Sequence, residues 1–311
     1  MISFTSPVFN AWISALRLRT LCLATACTLL GSGVAFAVGC FDFPILILTV
    51  LTAIGLQLSA NLANDLGDYQ HGTDITGERV GPKRAVQSGL ISVREMKTGI
   101  MIAVIFAAVS GCLLIYQAVK YLSIVQIAVF LFLGISAIIA ALKYTAGNNP
   151  YGYRGWGDFF SFLFFGPVAV IGTYFLHVHV FDFHPVLPSV SMGLLTIAVL
   201  NVNNMRDIDN DRKSGKFTVP VCIGIKNAKR YHAALIIGAC LCAVLYNLIY
   251  ACAYWYQFAY LVVFIFLFRG LKNIIRTTDP ESLDPYLKQT SILTLLFSIL
   301  FSVCINPDLL I

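Results

Sequence analysis

Asn61-Leu-Ala-Asn-Asp-Leu-Gly-Asp68 and Asn201-Val-Asn-Asn-Met-Arg-Asp207-Ile-Asp-Asn-Asp211 each close a long apolar run. Read as helix, the first stretch sets Asn61, Asn64, Asp65 and Asp68 at i, i+3, i+4 and i+7, on one face. Asn204, Asp207 and Asp211 follow the same rule at i, i+3 and i+7. Carboxylates stacked on one helix face repel each other. At membrane depth such residues pair, bind ions or line a cavity. Two such faces turned toward one another would offer hard oxygen ligands suited to Mg²⁺ carrying a diphosphate.

The runs that end in these clusters set the class of protein. The chain has 311 residues, 58% of them hydrophobic and only 12% charged, which excludes an ordinary soluble domain. Charges are absent over stretches as long as a bilayer-crossing helix requires. Nine spans are predicted near 20–40, 44–66, 96–119, 121–141, 159–180, 186–205, 231–250, 252–269 and 289–306. The N-terminus carries a competing signal: Arg17 and Arg19, the run from Leu21 to Val34, and Ala35-Phe-Ala37 resemble a cleavable leader. The apolar run continues to about Phe41, long enough to span, and the expectation is a retained first helix.

The net charge of +6 does not point to nucleic acid, because the basic residues sit in loops between apolar runs. With the N-terminus in the cytoplasm, every Lys and Arg but Lys120 falls on the inner side. The expectation is therefore an all-α integral membrane protein of about nine helices, N-terminus cytoplasmic and C-terminus outside. Both acidic clusters then share the cytoplasmic side, and their likeness fits an internal two-fold repeat. No linker or second domain interrupts residues 1–311. His177, His179, Asp182 and His184 lack a ligand frame and are read as a solvated outer turn. The nine cysteines lie in or beside apolar runs without a CxxC pair, as reduced packing residues.

Three loops carry polar chemistry. After the first cluster come Tyr69-Gln-His-Gly72-Thr-Asp74 and Gly81-Pro-Lys83-Arg84. Lys83 and Arg84 either neutralise phosphate oxygens or simply anchor the loop on the inner side. In the second cluster, acids alternate with Arg206, Arg212 and Lys216. These charges can neutralise one another in a surface turn. A diphosphate held through Mg²⁺ by the acids, and directly by Arg206 or Lys216, also explains why Asn203, Asn204 and Asp207 continue an apolar span. The third loop, Lys143-Tyr-Thr-Ala-Gly-Asn148-Asn-Pro-Tyr151-Gly-Tyr153-Arg-Gly-Trp156-Gly-Asp158, is too rich in Gly and Pro for regular helix. It reads either as an interfacial turn or as a cover offering Asn148, Tyr151 and Tyr153 to an aromatic substrate. Together these parts suit allylic diphosphate transfer, in which a dry, aromatic pocket shelters the developing cation.

Four stretches resemble the UbiA-type membrane prenyltransferases, and within them the 1,4-dihydroxy-2-naphthoate polyprenyltransferases. They are Ala11-Trp12 with Arg17-x-Arg19-Thr-Leu21; Asn61 to Asp68 through Asp74; Tyr144-Thr-x-Gly-Asn148-x-Pro-Tyr-Gly-Tyr153 through Asp158; and Asn201 to Asp207 through Asp211 and Lys216. The resemblance runs from residue 11 to about 224, and the last spans fit by hydropathy only. It implies nine helices ringed around a central cavity with a loop-capped cytoplasmic mouth, in the bacterial inner membrane. It also implies Mg²⁺-dependent transfer of a polyprenyl group from its diphosphate to 1,4-dihydroxy-2-naphthoate, with loss of CO₂ and diphosphate to give demethylmenaquinone. Asn64, Asp65, Asp68, Asp74, Asp207 and Asp211 are then the metal candidates, and Asp68, Asp207, Asp211 and Lys216 the catalytic ones. Arg17, Lys83, Arg84 and Arg206 are assigned to substrate, and Asn148, Tyr151 and Tyr153 to the acceptor. Two departures stand out: the spacing of the first motif reaches Gly72, with the last carboxylate displaced to Asp74, and Leu18 replaces a proline.

The rival readings are a sister enzyme with another acceptor, such as 4-hydroxybenzoate, and a cation-coupled transporter. A transporter's acids belong in mid-span, whereas these lie at span ends and run into basic loops. Nothing in the chain calls for nucleic acid or an obligate protein partner; the partners expected are the two substrates and the lipid bilayer.

Overall fold

The computed structural model describes residues 6–72 and 84–306; Asp74 and Lys83 lie outside them. Among the described residues, nine helices are long and apolar enough to cross a bilayer. A tenth, short helix precedes them. α1 (Pro7–Leu16) starts at a Ser6 cap with proline in its first turn, where a missing N–H does no harm. It stops at Arg17, whose backbone is left-handed (φ 48°, ψ 58°), and α2 (Leu18–Ala37) sets off in a new direction. The sequence reading did not predict α1, although Ser6-Pro7 is a helix-start signal. Its Val8, Phe9 and Ile13 are exposed, as suits a helix lying at a lipid surface.

α3 (Phe43–Gln70) begins at an Asp42 cap and has 28 residues. At about 1.5 Å per residue it is roughly 40 Å long, against roughly 30 Å of hydrocarbon core. Its last turns therefore carry Asn61 to Asp68 to the rim. α4 (Val93–Ala118) and α5 (Ile124–Lys143) each start with a capping box, Ser92 with Glu95 and Ser123 with Gln126. α6 (Gly157–Val178) widens into a π-helix over Phe164–Ile171. Pro167 lies in that segment and lacks the N–H that regular α bonding needs. α7 (Val186–Arg206) is followed by the short α8 (Ile208–Lys213).

The remaining spans are α9 (Val219–Tyr250), α10 (Leu261–Arg276) and α11 (Asp284–Cys304). α9 starts well before the expected residue 231 and is kinked within its first turns at Gly224 (φ 76°). Lys226, Lys229 and Arg230 therefore ride on helix rather than loop. Lys229 Nζ donates to the Ile275 and Thr277 carbonyls, closing the end of α10.

Helix packing is uneven. α2, α6, α7, α9, α10 and α11 share a continuous apolar core that includes Leu30, Tyr174, Met192, Phe264 and Phe297. Close approach uses small residues, as in membrane bundles generally. A Cβ on Gly33 would lie 2.2 Å from the Ser302 Cβ, and one on Gly55 2.9 Å from the Ala107 Cβ. α5 is the opposite case. Ala140 is its one buried residue, and Ile124, Val125 and Phe132 are largely exposed. Such a surface needs lipid against it.

The end of the bundle remote from the acids corrects one expectation. His177 belongs to α6 and is buried, not solvated. Its Nδ1 accepts the Asp42 N–H at 3.1 Å, so Nε2 carries the proton toward Ser32 Oγ at 3.0 Å. His184 and Asp182 pair with each other, both half-buried. None of the nine cysteines is disulfide-bonded.

Candidate active site

Asp68 is fully buried on the last turn of α3. A buried carboxylate needs charged or hydrogen-bonding partners, and this one has several. Arg84 Nη2 lies 2.5 Å from Oδ2, Tyr153 donates its hydroxyl to Oδ1 at 2.8 Å, and Lys216 Nζ is 3.7 Å from Oδ1. The Asn64 amide, with its nitrogen 2.7 Å from Asp68 Oδ2, accepts from Arg17 Nη1 at 3.1 Å. Arg84 also donates to the Asn64 carbonyl at 2.7 Å.

Two neighbours on the same helix do other work. Asn61 donates to the Leu16 carbonyl and to Thr20 Oγ1, clasping the α1–α2 break from which Arg17 reaches Asn64. Asp65 turns away from the cavity. Its carboxylate receives the Ala85 and Val86 N–H groups at 3.4 and 3.5 Å, at the start of the turn that carries Arg84. It anchors the arginine rather than joining the carboxylates.

The second cluster is built differently. α7 ends at Arg206, and Asp207 (φ −95°, ψ 11°) is the hinge into α8, so the helical register expected through Asp211 breaks. Asn203 rather than Asn204 lines the cavity, with Asp207, Asn210 and Asp211. Arg206 grips Asp207 through Nε and Nη2 at 2.8 and 2.7 Å, and Asp284 through Nη1 at 2.5 Å. Nη2 also donates to Asn203 at 3.1 Å. Gly215, at φ 71°, reverses the chain after α8, and the Lys216 N–H returns to the Asp211 carbonyl.

Lys216 joins the clusters. Its Nζ lies 3.7 Å from Asp68 and 3.9 Å from Asp211. Burial alone would lower the ammonium, but Asp68 and then Asp211 outweigh it and hold it above its ordinary value. Burial pushes the Asp211 carboxyl up to about 7; Lys216 opposes this, while Asp207 and Asp68 add to it.

The third loop is tied across both clusters. Thr145 donates to the Ala63 carbonyl and sits over Gly67, where a Cβ would meet it at 2.6 Å. Tyr151 donates to the Ala140 carbonyl at 2.9 Å and lines the cavity. Tyr153 is buried; besides Asp68, it meets the Lys216 ammonium at 5.3 Å from its ring centre, and its carbonyl accepts the Phe217 N–H. Asn148 is exposed and does not line the cavity.

All of this opens on a cavity of about 470 Å³. Its polar end is lined by Arg17, Asn64, Asp68, Arg84, Asp207, Asp211 and Lys216. Its apolar arm runs between α3, α4, α5 and α6 past Phe160, Phe164, Val168 and Ile138 as far as Phe130, Leu114 and Leu176. The π segment of α6 turns Phe164, Phe165 and Val168 into it. Sequence reading missed Tyr144, Phe160, Phe164 and Leu287 as lining residues. The Phe-Phe-Gly-Pro run at 164–167, a proline inside an apolar span, was a usable signal.

A divalent ion has a place in this chemistry. Among the described residues no three acidic, His or Cys side chains gather as a complete metal set. Mg²⁺, however, is usually held by one or two carboxylates with water and substrate phosphate rather than by an all-protein cage. Asp68 and Asp211, both within 4.0 Å of one ammonium, are hard oxygen donors grouped around a cation position. The donor set fits.

Fold and site define a polytopic helical protein whose interior joins a carboxylate-and-cation end to an apolar arm. A sequence model of the UbiA prenyltransferase family matches residues 24–302. The 1,4-dihydroxy-2-naphthoate octaprenyltransferase of Escherichia coli (strain K12) is 40% identical over 292 residues, 94% of each chain. Among solved structures, a UbiA homolog from Aeropyrum pernix K1 superposes with a TM-score of 0.62 at 18% identity, covering 94% of this chain and 98% of that one. A UbiA homolog from Archaeoglobus fulgidus, bound to GPP and Mg²⁺, gives 0.60 at 17% identity over 95% and 99%. The chain belongs to the UbiA prenyltransferase family.

Proposed function

We propose that this cavity transfers a polyprenyl group from an allylic polyprenyl diphosphate to 1,4-dihydroxy-2-naphthoate, with loss of CO₂ and diphosphate, giving demethylmenaquinone. The observation that carries the reading is one continuous cavity that is polar at the two acidic clusters and apolar along its arm. The similarity to 1,4-dihydroxy-2-naphthoate octaprenyltransferases supports the choice of acceptor.

Asn64, Asp68, Asp207 and Asp211 would hold Mg²⁺. When bound, the ion withdraws charge from the departing diphosphate. Arg17, Arg84 and Lys216 line the same end and present N–H donors to phosphate oxygens; Arg84 and Arg17 offer planar forks. Arg206 is withdrawn from that role, because Asp207, Asp284 and Asn203 take up its donors. The isoprenoid tail fills the apolar arm, and Phe160, Phe164 and Tyr151 face the developing allylic cation beside it. Burial pushes the Tyr144 phenol up, so it remains a hydrogen-bond donor to the acceptor, whereas the Tyr151 hydroxyl is already given to the Ala140 carbonyl.

We further read residues 1–311 as one polytopic domain of the bacterial inner membrane. Its helices ring the cavity, the acidic end faces the cytoplasm, the N-terminus is inside and the C-terminus outside. A reporter fused after Ile311 should label outside and one at Gly81 inside; the reverse labelling overturns the orientation. For the chemistry, membranes are incubated with labelled acceptors and several prenyl diphosphates. Prenylation of dihydroxynaphthoate in preference to 4-hydroxybenzoate is expected, and the opposite preference refutes the acceptor.

A further inference from the structure

Arg206 is the least exposed charged group of the second cluster, at 2%. Its guanidinium is forked between two carboxylates, Asp207 on the cavity wall and Asp284 on the first turn of α11. Asp284 is not among the cavity-lining residues, and its side chain is 45% exposed. Yet it reaches across from the last span to take the one arginine nitrogen, Nη1, that Asp207 and Asn203 leave over.

We infer that Asp284 is a positioning residue for the metal-binding face of Asp207, acting through Arg206. Two physical effects run together. Arg206 and Asp207 alone form a neutral pair, which has little attraction for a cation. Because Asp284 shares the guanidinium, Arg206 neutralises Asp207 less completely, which favours a divalent ion at Asp207. The second effect is geometric. A guanidinium fastened at both ends cannot follow Asp207 as it turns, so the carboxylate sits on the hinge between α7 and α8 in one orientation. This inference rests on the reading of Asp207 as a metal ligand. It also gives the last span, which resembled nothing beyond hydropathy, a part in the site.

The competing explanation is local: an acidic residue in a first turn favours its own helix. That role moves thermal stability and not metal affinity. The test uses the full-length chain in detergent, titrated with Mn²⁺ and followed by the loss of the free-ion EPR signal. Asp284→Asn, which keeps an oxygen for Arg206 but not the charge, should weaken Mn²⁺ binding about ten-fold, the scale of an outer-shell partner's loss. Asp284→Glu should restore it. In turnover, Asp284→Asn should raise the metal concentration for half-maximal rate by a similar factor and leave kcat at saturating metal within about two-fold of wild type, as a purely ground-state metal effect predicts. Arg206→Lys, which keeps the charge without the fork, should bind Mn²⁺ similarly weakly and serves where Asp284→Asn does not fold. Wild-type affinity in either variant overturns the inference. Unchanged metal affinity with a lowered kcat overturns it as well, and returns Arg206 to the diphosphate. Failure of the wild-type chain to bind Mn²⁺ at all instead refutes the metal site itself.

Discussion

The two acidic clusters look like copies in sequence and behave unlike each other in structure. Asp68 sits on unbroken helix, fully buried, with Arg84, Lys216, Tyr153 and Asn64 all directed at its two oxygens. Asp207 sits at a helix break and has one dominant partner, Arg206, which it shares with a distant helix. The first cluster is a hub through which three loops are tied. The second lies at a helix break beside it, and Lys216 is common to both. Equal motifs need not carry equal loads: the same carboxylate is held by several converging donors in one cluster and by one shared guanidinium in the other.

The comparison is broken first at Asp68. Removing one partner of a buried ion pair costs about 3–5 kcal/mol, so Asp68→Asn, which keeps the hydrogen-bonding shape, is preferred to alanine. It should lower kcat by about 10³-fold or more, since metal, arginine and lysine all lose their anchor. Activity within ten-fold of wild type, measured in membranes of matched protein content, would show that the hub does not exist. Lys216→Met should come next, at about 10²-fold, with kcat and kcat/KM for the prenyl diphosphate falling together. A change confined to the KM of the naphthoate would remove Lys216 from the leaving group.

Smaller effects sharpen the picture. Tyr153 was expected, from the loop alone, to meet the acceptor; its hydroxyl is instead given to Asp68. Tyr153→Phe should therefore cost about ten-fold in kcat, in line with a lost hydrogen bond to a charged group, and leave the naphthoate KM unchanged. A raised naphthoate KM alone would restore the first assignment. Asn148→Ala, at an exposed position, should alter kcat/KM for either substrate by less than about two-fold, as surface changes usually do. A larger loss would mean that the loop closes further over the mouth than its present contacts require.

Much of the fold was legible because a bilayer imposes one length scale on every span. Charge-free stretches gave nine helices, and the acids at their ends marked the rim. What escaped depended on side-chain direction or on backbone breaks. Asp65 stands one residue beyond Asn64, hence about 100° further round the helix, and it meets the turn at Ala85 instead of the cavity. The left-handed Arg17 and the hinge at Asp207 are imposed by tertiary contacts, among them the Asn61 clasp and the Arg206 fork. Asp284 lies in a stretch where hydropathy says only that a span begins. Its role appears once α11 is seen against α7. Asp74 and Lys83 lie outside the described residues; the first assignment rests on the motif and the second on its charge in the loop.

The most direct measurement follows carbon. Dihydroxynaphthoate labelled in its carboxyl group is supplied with octaprenyl diphosphate and Mg²⁺ to the full-length chain in liposomes, beside Asp68→Asn. The account predicts labelled CO₂ and diphosphate released in equal amounts by the wild type, abolished by chelation and lost in the variant. Diphosphate release without CO₂, or CO₂ release that survives Asp68→Asn, would contradict it.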